Sequence, residues 1–304
     1  MKTLKMKGKK SKMIKNLSRQ MMLVCLMVLL LVSCTPKNIE EKNHMHSISF
    51  DPTEPGFMYV ATHYYLEKVN LQTKMKEQVG RYGDDYMGFV VAADGTFYSS
   101  GHSPDVPNVG IRKSMDKGKR WKTLAYEGYD FHDITTGVKV IYAWSTPPEE
   151  FLAVSSDDGE NWARVSAVNK IRGSIFVLEA DKQQPDKVYA GSLFGLFVSE
   201  DTGKSWLQNE NVKNIAVVAI ADDPRNEWKV TLATAEKILQ TQDGGKTWDD
   251  ISGKFDQKEE VIIFLTTDPA TEKIYGVTKH SKIYAFDNQE WKEFYLNQKE
   301  GVKQ

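Results

Sequence analysis

One eight-residue pattern, Ser/Thr-x-Asp-x-Gly-x-x-Trp, occurs four times and constrains this chain more than any other feature. The copies are Ser114/Asp116/Gly118/Trp121, Ser155/Asp157/Gly159/Trp162, Ser199/Asp201/Gly203/Trp206 and Thr241/Asp243/Gly245/Trp248. Their aspartates lie 41, 44 and 42 residues apart. A decayed fifth copy follows 44 residues later at Asp287 and Trp291, with Gln289 where glycine belongs. A sixth, lacking the tryptophan, is Val69-Asn70-Leu71-Gln72-Thr73, whose Asn70 stands 46 residues before Asp116. A fixed period of this length marks an array in which each repeat is one supersecondary unit that buries its apolar face on its neighbours.

A second pattern recurs between the copies: an apolar strand, a turn, then a strand ending in small residues. Examples are Ser47–Phe50, Asp51-Pro52 and Met58–Thr62, or Val217–Ile220, Asp223-Pro224 and Val230–Thr234. Each unit therefore holds strands a, b, c and d, with the Asp-Gly-Trp pattern in the c–d turn. Short strands at this spacing without helical periodicity predict an all-β fold, a β-propeller of six four-stranded blades between His44 and Leu296, with seven blades the alternative. In such a turn the aspartate accepts backbone N–H bonds, glycine supplies a positive φ, and tryptophan packs between blades.

The pattern resembles the Asp-box (BNR) repeat of sialidases, sortilin-type receptors and photosystem assembly factors, and it covers most of the chain after the N-terminal segment. In those families the box is structural. The resemblance implies the same for Asp116, Gly118, Trp121, Asp157, Gly159, Trp162, Asp201, Gly203, Trp206, Asp243, Gly245 and Trp248. These aspartates repeat around the rim and do not converge, which argues against a catalytic role.

The first 33 residues carry eight bases and no acid, followed by an apolar run from Met21 to Val32. This is the layout of a signal peptide, and a dozen apolar residues fall short of the roughly 20 that span a bilayer. Leu31-Val32-Ser33-Cys34 resembles the processing site of bacterial lipoproteins, which implies acylation of Cys34. The expected organisation is a signal peptide over 1–33, a lipidated cysteine and polar tether over 34–43, and the propeller over 44–304. The domain is expected on the extracytoplasmic side of the cell membrane, held there by its lipid.

Cys25 and Cys34 are the only cysteines, so no thiol remains for a disulfide or a thiolate metal site. Without the eight leader bases, 32 positive side chains face 41 negative ones, a net charge of −9. Nucleic acid is a disfavoured partner for such a chain.

The six histidines fall at corresponding places in the repeat. In a blade, strand a descends and b returns, so the a–b and c–d turns share a lower face while the start of a and the end of b share an upper one. His44 and His46 precede the first strand a, His63 and His102 end the first two strands b, His132 opens the third strand a, and His280 follows the sixth strand b. All six are expected on the upper face, in the sector of blades six, one, two and three, joined by Asp84, Asp85, Tyr86, Met87 and Asp130. His44 and His46, at i and i+2, point the same way if extended. The candidate ligand set is His44, His46, His63, Asp85, His102 and His132. Imidazoles with one or two carboxylates are a usual site for a divalent metal, Zn or Cu, where thiolates are absent. A proton-responsive surface and a polar-ligand site in the channel mouth are the readings without metal.

The strings His44-Met45-His46, Ala61-Thr62-His63, Asp85-Tyr86-Met87-Gly88-Phe89, Ser100-Gly101-His102-Ser103-Pro104 and Asp130-Phe131-His132 resemble an uncharacterised family of bacterial Asp-box lipoproteins that carry the name glycosyl hydrolase by homology. Relative to that family's pattern, Ser47 replaces a glycine, Tyr64-Tyr65 replaces His-Gly, and Ser103 intervenes before proline. His46, His63, Asp85, His102 and His132 are spared.

Three function classes follow. A binder presents the upper face to a metal, ligand or protein partner. A glycoside hydrolase of two-carboxylate type draws on Asp84, Asp85, Asp130, Glu149 or Glu150. An assembly factor for an exported protein needs a basic or apolar docking patch. Sialidase chemistry is disfavoured: it uses three converging arginines, usually with an Arg-Ile-Pro signature, and that signature is absent.

Overall fold

A computed structural model describes residues 44–165, 171–294 and 296. The leader, Cys34 and the tether lie outside the described residues.

Six four-stranded antiparallel sheets follow one another along the chain, each built from four consecutive strands. Blade 1 holds β1 (Met45–Phe50), β2 (Phe57–Thr62), β3 (Leu66–Asn70) and β4 (Lys76–Val79). Blade 2 holds β5 (Asp85–Val91), β6 (Phe97–His102), β7 (Ile111–Ser114) and β8 (Lys122–Ala125). Blade 3 holds β9 (Phe131–Thr136), β10 (Ile141–Ser145), β11 (Phe151–Ser155) and β12 (Ala163–Val165). Blade 4 holds β13 (Ile175–Ala180), β14 (Val188–Ser192), β15 (Gly195–Ser199) and β16 (Leu207–Gln208). Blade 5 holds β17 (Val217–Asp222), β18 (Val230–Thr234), β19 (Ile238–Thr241) and β20 (Asp249–Asp250). Blade 6 holds β21 (Ile262–Thr267), β22 (Ile274–Thr278), β23 (Ile283–Asp287) and β24 (Glu290–Glu293). The fold is the expected six-bladed β-propeller.

Each blade's second strand has sheet partners on both edges and a neighbouring blade on each face, and it is buried throughout in β10, β14, β18 and β22. Hence these strands read as apolar runs without alternation. Gly191 in β14 shows how close the next blade comes: a Cβ there would lie 2.7 Å from the Val217 carbonyl oxygen. The outer strands β4, β8, β12 and β20 are polar and largely exposed.

The core lies between blades. Trp206 of blade 4 packs in a cluster with Tyr142, Leu152 and Val154 of blade 3, and Trp121 of blade 2 packs with Leu66 and Val79 of blade 1. Closure uses the same device. Ile48, Phe50 and Met58 of blade 1 share a cluster with Tyr275, Val277 and Ile283 of blade 6, so among the described residues the ring shuts by packing, without exchange of a strand.

Around the axis, polar side chains bridge neighbouring inner strands. Ser49 Oγ accepts from Val91 N at 3.0 Å, Thr135 Oγ1 from Ala180 N at 3.1 Å, and Asp222 Oδ2 from Lys182 N at 2.8 Å.

The four c–d turns are alike. Oδ1 of Asp116, Asp157, Asp201 and Asp243 accepts the backbone N–H four residues on, at 2.9, 2.8, 2.7 and 2.9 Å. The following tryptophans, Trp121, Trp162, Trp206 and Trp248, donate Nε1–H to the carbonyls of Gly118, Gly159, Gly203 and Gly245. Lys117 in one such turn reaches Asp51 in the a–b turn of the preceding blade at 2.9 Å, so both kinds of turn share one face.

Candidate metal centre

Every inner strand carries one extra residue near its upper end, where its pairing with the second strand shifts register. The extra residues are His46, Met87, His132, Phe176, Val218 and Ile263. A bulge re-aims a side chain out of the pleat. At this level blades 1 to 3 thus offer imidazole, thioether and imidazole, while blades 4 to 6 offer only hydrocarbon.

His46, His63 and Asp85 come together here. His46 Nε2 lies 3.1 Å from His63 Nδ1, which lies 2.9 Å from Asp85 Oδ2, and Asp85 Oδ1 is 3.4 Å from His46 Nε2. One ligand atom from each residue falls within 4.8 Å of the other two. Atoms bonded to one ion at about 2.1 Å sit about 3.0–3.4 Å apart, so small side-chain adjustments would bring these donors onto one cation.

The electrostatics suit a cation. His46 is buried, and burial, reinforced by His63, His132, His44 and His102, holds its pKa well below the usual histidine value. Its ring is therefore neutral, the form in which imidazole ligates. Asp85 Oδ1 is buried with no hydrogen bond within the protein, an expensive state for a carboxylate oxygen unless a cation or proton attends it. Two histidines and one carboxylate also leave coordination positions open. Gly101 makes the approach: it sits opposite the β5 bulge with φ +133°, and a Cβ there would fall 2.1 Å from the Asp85 carbonyl oxygen.

His102 and His132 form a second group around Asp130. His132 Nε2 is 2.8 Å from Asp130 Oδ2, and His102 Nε2 is 4.0 Å from Asp130 Oδ1. Burial alone raises the Asp130 pKa, but the His132 hydrogen bond and the charges of His132 and His102 outweigh it and hold the carboxyl below its ordinary value. Asp130 is absent from the candidate ligand set read from the sequence. Its signal is the i, i+2 spacing to His132, which puts both on one side of an extended segment.

The other candidates go elsewhere. His44 meets His63 edge-on, ring centroids 5.7 Å apart, at the border of the first group. His280 pairs with Glu260 at 3.2 Å and stands outside both groups. Asp84 turns away from its neighbour Asp85 to pair with buried Arg112. Glu149 is held by Arg164 and Tyr129. A cavity of about 460 Å³ also lies elsewhere: it runs down the axis among the inner strands to Pro52, Val138, Pro224 and Pro269 in the a–b turns.

No protein-family model and no curated protein matches the sequence. Solved structures do resemble the fold. An ancestral GH74 enzyme aligns with a TM-score of 0.58 at 15% identity, over 88% of this chain and 41% of that one. The GH74 enzyme of Niastella koreensis aligns at 0.56 and 12% identity, over 81% and 46%. The GH74 xyloglucanase of Xanthomonas campestris aligns at 0.53 and 14%, over 84% and 55%. The chain spans about half the length of these neighbours, and likeness at these identities is a likeness of propeller fold.

Proposed function

We propose that this chain is a lipid-anchored, extracytoplasmic Asp-box propeller that binds a divalent transition-metal cation, of the zinc or copper class, on its histidine-bearing face. The observation that carries the reading is the trio His46, His63 and Asp85, whose ligand atoms converge within 4.8 Å and whose carboxylate has a buried oxygen, Oδ1, that accepts no hydrogen bond. The base-rich leader ending in Leu31-Val32-Ser33-Cys34 supports the anchor, and the four matching c–d turns support the Asp-box assignment. Binding is favoured over glycoside hydrolysis because four of the five acids such chemistry would recruit are engaged, Asp84 with Arg112, Glu149 with Arg164, and Asp85 and Asp130 with histidines, which leaves exposed Glu150 without a paired acid.

The test uses the full chain, solubilised in detergent and purified without a histidine tag. Bound metal is measured by mass spectrometry, followed by titration with Zn and Cu for wild type and His46→Ala. Uptake at micromolar metal that weakens at least tenfold in His46→Ala is expected. A chain that takes up neither metal overturns the reading, as does turnover of chromogenic glycosides that disappears in Asp85→Ala.

A further inference from the structure

The axial cavity has a chemistry separate from that of the histidine face. Its volume of about 460 Å³ falls within the roughly 300–1,000 Å³ of small-ligand pockets. Its walls follow the register of the inner strands. One residue below the bulges stand Ser47, Gly88, Asp133, Val177, Ala219 and Phe264 of blades 1 to 6. Of these, Ser47, Asp133, Val177 and Phe264 line the cavity and are only partly covered. The charged side chains of the lining, Asp133, Lys139, Glu179, Lys182 and Asp222, all belong to blades 3 to 5, whereas its phenyl rings, Phe50, Phe89 and Phe264, belong to blades 1, 2 and 6. Three acids thus meet two lysines, and the lysines are accounted for. Lys139 is exposed in an a–b turn. Lys182 Nζ lies 3.2 Å from Glu179 Oε1 and donates to the Thr136 carbonyl at 2.8 Å. Among the described residues, the carboxyls of Asp133 and Asp222 have only backbone N–H partners, those of Leu178 and Lys182 included, and Asp222 Oδ1 is buried without a hydrogen bond.

We infer that the axial cavity binds a small organic ammonium, with its N–H groups on Asp133 and its hydrocarbon body against Phe264. The inner strands form a closed ring in blade order, so blades 3 and 6 lie across the axis from each other, and Asp133 and Phe264 stand at the same level of it. A carboxylate without a counterion on one wall and a phenyl ring on the other match the two halves of such a ligand. An ammonium makes charge-assisted hydrogen bonds to the carboxylate, and an aromatic face attracts both the cation and the carbon next to it. Ser47 Oγ, at the same level, donates to the Phe89 carbonyl at 3.2 Å, and its lone pairs can accept a further N–H. Other ligand classes fit worse. An anion would add to an unbalanced negative charge, and a neutral molecule would leave the carboxyl without a counterion. A bare metal ion needs several further donors, where this level offers Val177 and Phe264. Burial without a counterion is costly and pushes the Asp133 pKa up; a seated ammonium relieves that cost.

The experiment is a calorimetric titration of the untagged full chain in detergent with benzylamine, and with benzyl alcohol as the uncharged counterpart of the same shape. EDTA is present throughout, so the outcome is independent of metal binding on the histidine face. Wild type should bind the amine at least tenfold more tightly than the alcohol. Asp133→Asn can still accept the Leu178 N–H but has no charge, and it should weaken the amine at least tenfold and leave the alcohol unchanged. Phe264→Leu keeps an apolar wall without the ring and should weaken the amine severalfold; it decides together with the alcohol comparison if Asp133→Asn fails to fold. No heat with millimolar benzylamine overturns the site. Equal binding of amine and alcohol, or amine binding unchanged in folded Asp133→Asn or in Phe264→Leu, overturns the ammonium assignment.

Discussion

Asp84 Oδ2 accepts a 3.0 Å hydrogen bond from Arg112 Nη1, and both side chains are buried at the entry to β5. The Arg112 guanidinium also lies against the rings of Tyr86 and Trp121, 4.9 and 4.8 Å from their centroids. This pair holds one side of the residue step whose other side presents Asp85 to His63. Removing one member of a buried pair strands a charge, at about 3–5 kcal/mol, whereas replacing both with apolar residues is far milder. Asp84→Ala should therefore lower the urea unfolding free energy by about that amount, and Asp84→Leu with Arg112→Met should recover most of it. Equal losses in the single and double variants would show that a stranded charge is not the source of the cost.

The blade count is legible in the sequence because Asp116, Asp157, Asp201 and Asp243 each perform the same local task, closing one turn, so their spacing is the blade period itself. The site is only partly legible. Which of Asp84 and Asp85 faces the histidines depends on the register of β5. Repeat spacing reaches blade length but not a one-residue choice of side. The inner-strand bulges at His46 and His132 come from how each first strand meets its second, a pairing that no local pattern announces. Asp130 is nearly legible through its spacing to His132, while the departure of His280 to Glu260 depends on a loop partner 20 residues away in the chain.

Gly203 carries two separable demands. Its φ is +83°, and a Cβ would lie 2.5 Å from Leu152 Cδ2 of blade 3. Gly128 shares only the first, with φ +93° and nothing within 4 Å of a Cβ. The backbone cost of a non-glycine residue in this region is about 1–3 kcal/mol. Gly128→Ala should lose about that much stability, and Gly203→Ala distinctly more, because the Trp206 turn must back away from blade 3. Matching denaturation midpoints for the two variants would contradict close packing at the turn.

The decayed turn of blade 6 should be improvable. Asn288 and Gln289 have φ of +51° and +63° between paired Asp287 and Glu290, a two-residue hairpin turn with both central residues left-handed. Asn-Gly is the favoured sequence for such a turn. Gln289→Gly relieves a left-handed strain of about 1–2 kcal/mol and costs about 0.5–1 kcal/mol of unfolded-chain entropy. A gain of at most about 1 kcal/mol is expected, read as a melting temperature a few degrees higher. A lower melting temperature would mean that the Gln289 side chain contributes contacts that outweigh the strain.

Asp222, at the lower end of the innermost strand of blade 5, should make stability fall as pH rises. It is 2% exposed, and Oδ1 has no partner while Oδ2 accepts the Lys182 backbone N–H. Burial pushes its pKa up to about 8, with the Asp181 and Glu179 charges adding to the rise and Lys182 opposing it. Asp133, across the same channel, is raised in the same direction by burial, to about 7. In the unfolded chain an aspartate titrates near 3.9, roughly. The folded state therefore holds these protons more tightly than the unfolded state. Their contribution is fully present below about pH 4, is lost progressively as pH climbs toward 8, and is flat beyond, with a slope of up to about 1.4 kcal/mol per pH unit for each proton. Asp222→Asn can still accept from Lys182 but has nothing to titrate. Urea unfolding at pH 5, 7 and 9 should show the variant close to wild type at pH 5 and more stable than wild type at pH 9. Parallel pH profiles for the two proteins would sink the assignment, because the slope would then belong to groups other than Asp222.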